Sequence, residues 1–357
     1  MRRRVTVAAL LLAVAAPATD AQAVRRGETG LTPSAPLRDV VLGPSGGGFA
    51  AFRARAAQWG GRIQASNGEV VTIYFSNSYV EDPAVARSWA DFLTSLLHGP
   101  ELSTVTIALA PLTEVQGYCG REALACYSPD AQAIIAPATD PQPGTTARGV
   151  LIHEYGHHVA STRLNTPFGA GDYGTKRWSS YVNVCARAHR GEVFPGAEDA
   201  EHYMLNPGEG FAEAYRILNQ QRLGLPQEAW EIVSQTFFPD ATALALLEQD
   251  VTQPWTANKT TTVRALLTAK RRTRALTFAT LYDGALLVTP RQSGRARVTL
   301  QLRSARGTTA TRTFATRAAT RITTTVCGER RITARLALAG RVAKTARTIV
   351  SVTVSKP

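Results

Sequence analysis

Apolar positions follow two different periods along this chain, and the change falls near Gln253-Pro254. Before that point apolar residues recur at three- and four-residue spacing, as in 82–97, which is typical of amphipathic helices. Beyond it, short stretches rich in Thr, Val and Leu, such as 285–289 and 296–302, alternate with charged turns. The pattern predicts an α+β domain over 49–254 and an all-β sandwich over 255–357.

The first of these regions mixes predicted strands with predicted helices. Threonine at 145 or 146 can cap the helix that begins there, and Asn206 can cap a later one that has Pro207 in its first turn. Strands are predicted at 70–75, 105–109 and 131–136. Helices are predicted at 49–59, 82–97, 146–160, 176–187, 206–221, 227–236 and 240–249. Residues 117–127, which contain two cysteines, are interpreted as a loop.

The N-terminus has the pattern of a secretory signal peptide over 1–23. Three arginines precede a short apolar run over 5–16, and Ala21-Gln22-Ala23 is a small-residue cleavage signal. That run is too short to cross a bilayer, and no later run reaches the length of about 18 apolar residues that a spanning helix needs. We therefore expect a secreted or cell-envelope protein without a membrane anchor. The Gly- and Pro-rich segment 24–48 is interpreted as a linker or pro-segment.

Composition agrees with export of a folded protein. The chain of 357 residues is 44% hydrophobic, which is typical of soluble globular domains. Its four cysteines all follow the signal peptide, and an even number outside the cytosol indicates two disulfides. Cys119 and Cys126 form the natural local pair, which would leave Cys185 with Cys327.

Charge is distributed very unevenly. Residues 255–357 contain 21 Lys and Arg against Asp283 and Glu329, so their net charge is 21 − 2 = +19. The remainder holds 19 basic and 25 acidic residues, or −6. Such a basic region is suited to acidic polymers such as cell-envelope polysaccharide, or it is simply a solubilising surface. Aromatic residues that could stack on bases are sparse there, so specific nucleic-acid recognition is not expected.

The strongest chemical signal is His-Glu-x-x-His at 153–157. On a helix, His153 and His157 point to the same side one turn apart, where two imidazoles can hold one Zn²⁺. Glu154 lies beside them and can accept a proton from water. His158 is expected to pack or hydrogen-bond behind the helix.

A catalytic zinc needs a third protein ligand. The metzincin extension would require Gly and His at the positions of Ala160 and Arg163, so that class is excluded. Another source is the segment 206–215, where Glu209 and Glu213 lie one turn apart.

His-Glu-x-x-His followed by this pair of acids resembles the gluzincin metallopeptidases. The resemblance implies a zincin-like catalytic domain, with a mixed sheet, an active-site helix and a mostly helical C-terminal part, that hydrolyses peptide bonds of protein or peptide substrates. It implies one Zn²⁺, with His153, His157 and Glu209 as ligands, Glu154 as general base and Glu213 as the acid that orients a ligating histidine. The better-known pattern has Asp at position 213, so the two glutamates could exchange roles.

The same resemblance implies a transition-state donor and a substrate-binding edge strand. Tyr181, Tyr203 and His202 are candidate donors, and the sequence does not choose among them. Residues 131–136 are the candidate edge strand.

The basic region is similar to the pre-peptidase C-terminal β-sandwiches of secreted bacterial peptidases. The resemblance lies in 276–289 and 327–338 and is diffuse. Two alternatives to a peptidase stay open. One is a weakly catalytic or non-catalytic adhesion protein that binds acidic polymers through 255–357, and the other is a zinc hydrolase of a non-peptide amide or ester.

Overall fold

The computed structural model describes the chain from Arg38, with several short gaps. The described ranges are 38–42, 58–199, 201–229, 233–294, 296–305, 307–314 and 320–357. The signal peptide predicted at 1–23, most of 24–48 and most of the helix predicted at 49–59 lie outside these ranges. The last two residues of that helix, 58 and 59, begin a strand instead.

Six strands of the front region form one mixed sheet. Its strands are β1 (Arg38–Val41), β2 (Gln58–Gln64), β3 (Val70–Ser76), β4 (Thr106–Ala110), β5 (Ala123–Ser128) and β6 (Ala133–Pro137). Their order across the sheet is β1-β5-β6-β4-β3-β2. Strands β3, β4 and β6 pair in parallel, whereas β5 runs antiparallel to β6. The outermost strand β1 is parallel to β5.

Eight α-helices accompany this sheet within the described residues. They are α1 (Pro83–Ser95), α2 (Leu112–Cys119), α3 (Ala147–Ser161), α4 (Ala170–Tyr173), α5 (Lys176–Tyr181), α6 (Val184–Ala188), α7 (Pro207–Leu223) and α8 (Ala241–Thr252). Apolar faces of α1, α3, α7 and α8 share one hydrophobic cluster with the inner face of the sheet. The coarse α+β prediction for this region is therefore confirmed.

Helices α3 and α7 begin at the caps that the sequence indicates and pack closely against each other. The Thr146 hydroxyl accepts from the amide of Gly149 at 2.9 Å, and the Asn206 side chain accepts from that of Gly208 at 2.9 Å. A Cβ added at Gly156 would lie 2.9 Å from Cα of Ala212, so only glycine permits this approach of the two backbones. The close packing brings the motif on α3 against α7.

Three elements differ from their prediction. Residues 117–127 are not a loop, because they contain the end of α2 and most of β5. Half of β5 is alanine and cysteine, and such a short strand without β-branched residues carries little strand signal. No α-helix occupies the described part of 227–236, where only a short 3-10 turn begins at Gln235. The predicted edge strand 131–136 is wrong in position, because β6 lies inside the sheet between β5 and β4.

The basic region folds into two four-stranded antiparallel sheets. Its strands are β7 (Lys259–Thr268), β8 (Thr273–Ala279), β9 (Gly284–Gln292), β10 (Arg297–Ser304), β11 (Gly307–Phe314), β12 (Ile322–Val326), β13 (Arg331–Ala339) and β14 (Arg347–Lys356). The sheet orders are β11-β10-β13-β8 and β12-β9-β14-β7. Inward side chains of both sheets form a second hydrophobic cluster. This arrangement agrees with the predicted all-β region.

Covalent and polar contacts join the two regions. The structure pairs Cys185 with Cys327 and Cys119 with Cys126. Arg330 donates to the carbonyl of Ser180 at 2.6 Å, and the hydroxyl of Ser180 accepts from the amide of Asp283 at 2.9 Å. Among the described residues, no helix combines the length and apolarity needed to cross a membrane.

Candidate metal centre

The two histidines of the motif project from α3 toward α7. Both are buried, and their Nε2 atoms lie 3.1 Å apart. Oε2 of Glu209, in the first turn of α7, lies 3.2 Å from each of these nitrogens. The structure therefore gathers the three predicted ligand atoms around one point.

The spacing suits a small tetrahedral cation. Bonds of about 2.0–2.1 Å to such an ion separate its ligand atoms by about 3.3–3.4 Å. The three separations above are only slightly shorter than this. Two imidazole nitrogens and a carboxylate oxygen also make up the donor set typical of catalytic zinc sites.

Buried carboxylate oxygens without a hydrogen-bond partner also fit a cation. Among the described residues, four buried carboxylate oxygens here lack a hydrogen-bond partner: both of Glu154, Oε1 of Glu209 and Oδ2 of Asp39. Buried charges are costly unless they are paired or coordinate a metal. The residues therefore fit a divalent cation.

Glu213, one turn beyond Glu209, lies behind His153. Its Oε2 accepts from Nδ1 of His153 at 2.9 Å, and the guanidinium of Arg216 binds both of its oxygens. A proton on Nδ1 leaves the lone pair of Nε2 directed toward the cluster. Burial alone would raise the pKa of Glu213, but hydrogen bonds from Arg216 and His153 lower it, so the carboxylate stays ionised.

Glu154 is fully buried on the same helix. Burial raises the pKa of this carboxyl well above its usual range, and the charge of Asp39 raises it further, against the opposing charges of His157 and His153. A carboxylate whose ionised form is disfavoured is a stronger proton acceptor, which a general base requires.

Of the three candidate donors, Tyr203 lies at the cluster. Its hydroxyl donates to Oδ1 of Asp39 at 2.5 Å and lies 3.2 Å from Oε2 of Glu209. The Tyr181 hydroxyl instead binds Asp240, and His202 binds Asp199.

His158 lies on the other side of α3. Its Nε2 is 3.0 Å from the carbonyl of Glu101, and Nδ1 is 3.1 Å from the Tyr127 hydroxyl. These contacts agree with the predicted packing role, because they tie the back of α3 to the sheet and to the turn after α1.

Asp39 was not predicted as a site residue, yet it is part of the cluster. Its Oδ2 lies 2.5 Å from Nε2 of His153 and 3.6 Å from Nε2 of His157. Together with Glu209 these residues form a group whose potential ligand atoms all lie within 4.8 Å of one another. The only sequence signal was an acid directly before a short apolar run, 40–42, within the segment interpreted as a linker or pro-segment.

Two other groups of potential ligands occur in the described part of the chain. One contains Cys185, Cys327 and His189, but its cysteines are joined in a disulfide. The other, Asp199, Glu201 and His202, is largely exposed, and exposed acids commonly cluster without a metal.

Comparisons with known proteins identify no family. No family model and no curated protein matches the chain. Among solved structures, a CBM36 carbohydrate-binding module in complex with calcium and xylotriose is 12% identical over 28% of this chain and 91% of its own, with a TM-score of 0.20.

Two further solved structures show similarly weak likeness. A GH115 4-O-methyl-α-glucuronidase with specificity for decorated arabinogalactans is 10% identical over 59% of this chain and 38% of its own, with a TM-score of 0.20. The capsular polysaccharide assembling protein CapF from Staphylococcus aureus is 8% identical over 71% of this chain and 74% of its own, with a TM-score of 0.17. TM-scores this low do not establish a shared fold, so no argument about activity follows from them.

Proposed function

We propose that this protein is a secreted zinc-dependent endopeptidase. The observation that carries the proposal is the convergence of Nε2 of His153, Nε2 of His157 and Oε2 of Glu209 beside the unpartnered carboxylate of Glu154. A mixed sheet over the motif helix, followed by a mostly helical part, further supports the zincin-like arrangement that the sequence suggests.

In this proposal His153, His157 and Glu209 would hold one Zn²⁺, whose charge lowers the pKa of water and polarises the substrate carbonyl. Glu154 accepts a proton from the attacking water as the C–O bond forms. It then returns that proton to the amide nitrogen as the C–N bond breaks. Tyr203 donates a hydrogen bond to the carbonyl oxygen as negative charge develops there.

Glu213 and Arg216 act through His153 in this mechanism. Their hydrogen bonds fix the imidazole orientation and keep its proton on Nδ1. Partners of this kind typically contribute about 10- to 100-fold to metal affinity or activity.

Metal removal and readdition test the proposed function. The purified protein should contain close to one zinc per molecule, and its active form should hydrolyse an unstructured protein such as casein. A strong chelator should abolish hydrolysis, and added Zn²⁺ should restore it. A zinc-loaded protein that cleaves simple esters or acetylated amides but no peptide would show that the substrate is not a peptide.

A second candidate function concerns the outer face of the sheet that contains β10 and β13. Four arginines occupy outward positions on these paired strands and are exposed: Arg297, Arg303, Arg331 and Arg335. Neither of the two acids of the basic region lies on these strands. This face supports attachment to an acidic polysaccharide.

If this attachment occurs, replacing Arg331 and Arg335 together by Gln should weaken retention on an anionic polysaccharide matrix. Retention of the unmodified protein should also fall as salt increases, because salt screens exposed charges beyond about 8–10 Å. Retention that neither the double substitution nor salt alters would exclude this role.

A further inference from the structure

We propose that Asp39 is a fourth ligand of the metal and that β1 occupies the groove in which an extended peptide substrate binds along β5. The inference rests on the proposed function and adds the location of the substrate groove. In this proposal the chain described here is an inactive form, because β1 fills the substrate groove. The groove becomes accessible when β1 leaves.

The position of Asp39 is that of a ligand. Its Oδ2 is buried, has no hydrogen-bond partner, and lies 2.5 Å from Nε2 of His153 and 3.6 Å from Nε2 of His157. With Glu209 and the two histidines, Asp39 forms a group whose potential ligand atoms all lie within 4.8 Å of one another. Binding of one tetrahedral ion by all four would move Oδ2 of Asp39 and Nε2 of His153 apart, from 2.5 Å to about 3.3 Å. The other oxygen, Oδ1, is fixed by the Tyr203 hydroxyl at 2.5 Å.

A fourth protein ligand changes what the site can do. Catalytic zinc sites keep three protein ligands and one open position for water or substrate, whereas sites with four protein ligands are structural. Asp39 would fill that position, and it also engages Tyr203, the donor assigned to the substrate carbonyl. Both groups would become available together if Asp39 left.

The strand that carries Asp39 is placed as a bound peptide would be. Strand β5 would form the edge of the sheet without β1, and sheet edges bind extended peptides through backbone hydrogen bonds. Two such bonds hold residues 38–42: the amide of Arg38 donates to the carbonyl of Glu122 at 2.9 Å, and that of Leu42 to the carbonyl of Tyr127 at 2.8 Å. The groove therefore recognises main chain in an extended conformation.

The local register explains why β1 would not be cleaved. Arg38 pairs with Ala123 and Val40 with Cys126, so the register shifts at Asp39. Irregularities of this kind redirect a side chain. Here a side-chain carboxylate, rather than a main-chain carbonyl, reaches the ligand cluster, so no scissile bond is presented to it.

Connectivity makes β1 separable. It lies at one edge of the sheet, and β2, the next strand among the described residues, lies at the opposite edge. Only residues 43–57 join them, and that stretch contains Gly46-Gly47-Gly48 together with Arg53 and Arg55. One cut there would leave β1, which is four residues long, held by noncovalent contacts alone.

The test uses the full mature chain with Zn²⁺ or Co²⁺. One pair of variants is Asp39→Ala and Asp39→Asn. The matched control is Asp91→Ala, because the Asp91 carboxylate accepts hydrogen bonds from Ser66 and does not belong to the cluster. A third variant carries a recognition site for a specific protease in place of residues 44–48, so that β1 can be released without any substitution at Asp39. Zinc affinity, the visible spectrum of bound Co²⁺ and the rate of peptide hydrolysis are measured for each.

We expect Asp39→Ala to weaken zinc binding by at least about 10-fold, the lower end of the effect of altering a metal site's surroundings. It should also change the Co²⁺ spectrum and increase hydrolysis. Cutting at the inserted site should release the N-terminal peptide, detected by mass, with the same spectral change. The Asp91→Ala variant should match the unmodified chain.

The possible failures separate the two proposals. An unchanged zinc affinity and Co²⁺ spectrum in both Asp39 variants would overturn the assignment of Asp39 as a ligand. Equal peptide hydrolysis by the unmodified chain and by all variants would overturn occupation of the groove by β1, while the peptidase proposal would stand. A spectral change with no hydrolysis in any form would support the ligand and refute the peptidase.

Discussion

Replacing Glu154 by Gln is expected to abolish peptide hydrolysis while leaving the metal bound. The amide has the shape of the carboxylate but cannot accept the proton of the attacking water, and loss of a general base typically costs about 10²- to 10⁴-fold in rate. Neither oxygen of Glu154 belongs to the group of ligand atoms, so zinc content should not change. The rate is measured after β1 has been released or in the Asp39→Ala background, with zinc determined on the same samples.

The stability of this variant distinguishes a catalytic role from a structural one. Burial and the charge of Asp39 raise the pKa of Glu154, so its ionised form is disfavoured in the fold. A neutral amide should therefore keep or increase the free energy of unfolding. Glu248→Gln is the control, because Glu248 is exposed and pairs with Arg222. If the Glu154→Gln protein keeps its zinc and more than half of the original rate of peptide hydrolysis, Glu154 is not the general base.

Replacing Arg216 by Met is expected to give the largest loss of stability. Arg216 and Glu213 are both buried, and the substitution leaves the Glu213 carboxylate with His153 as its remaining charged partner. Breaking a buried ion pair from one side typically costs about 3–5 kcal/mol. The free energy of unfolding should fall by this amount in urea titrations that contain excess chelator, so that metal binding does not contribute.

The same helix offers a matched control. Arg222 lies on α7 and pairs with Glu248 at 3.2 Å, but both side chains are exposed. Arg222→Met should therefore change stability by at most about 1 kcal/mol. Adding Glu213→Gln to Arg216→Met should recover part of the loss, because it removes the unpaired charge. Equal effects of Arg216→Met and Arg222→Met would contradict the importance of this pair.

Much of the local structure could be predicted from the sequence. Caps at Thr146 and Asn206 start their helices where expected, because a side chain that satisfies an orphan amide is a local signal. Strand β3 is apolar and β-branched and was equally clear. Strand β5 was missed because it is short and has no β-branched residue, so its strand signal is weak and its pairing with neighbouring strands keeps it extended.

By itself the sequence determined which side chains of the motif helix share one face. Spacing by four residues on a helix dictates that His153 and His157 share one face, and only a backbone without Cβ, at Gly156, lets α7 approach so closely. Tertiary structure alone decided which other groups reach that face. It placed Tyr203 at the cluster and brought Asp39 from more than a hundred residues upstream. Strand pairing sets such contacts, and no local spacing encodes a pairing between distant segments.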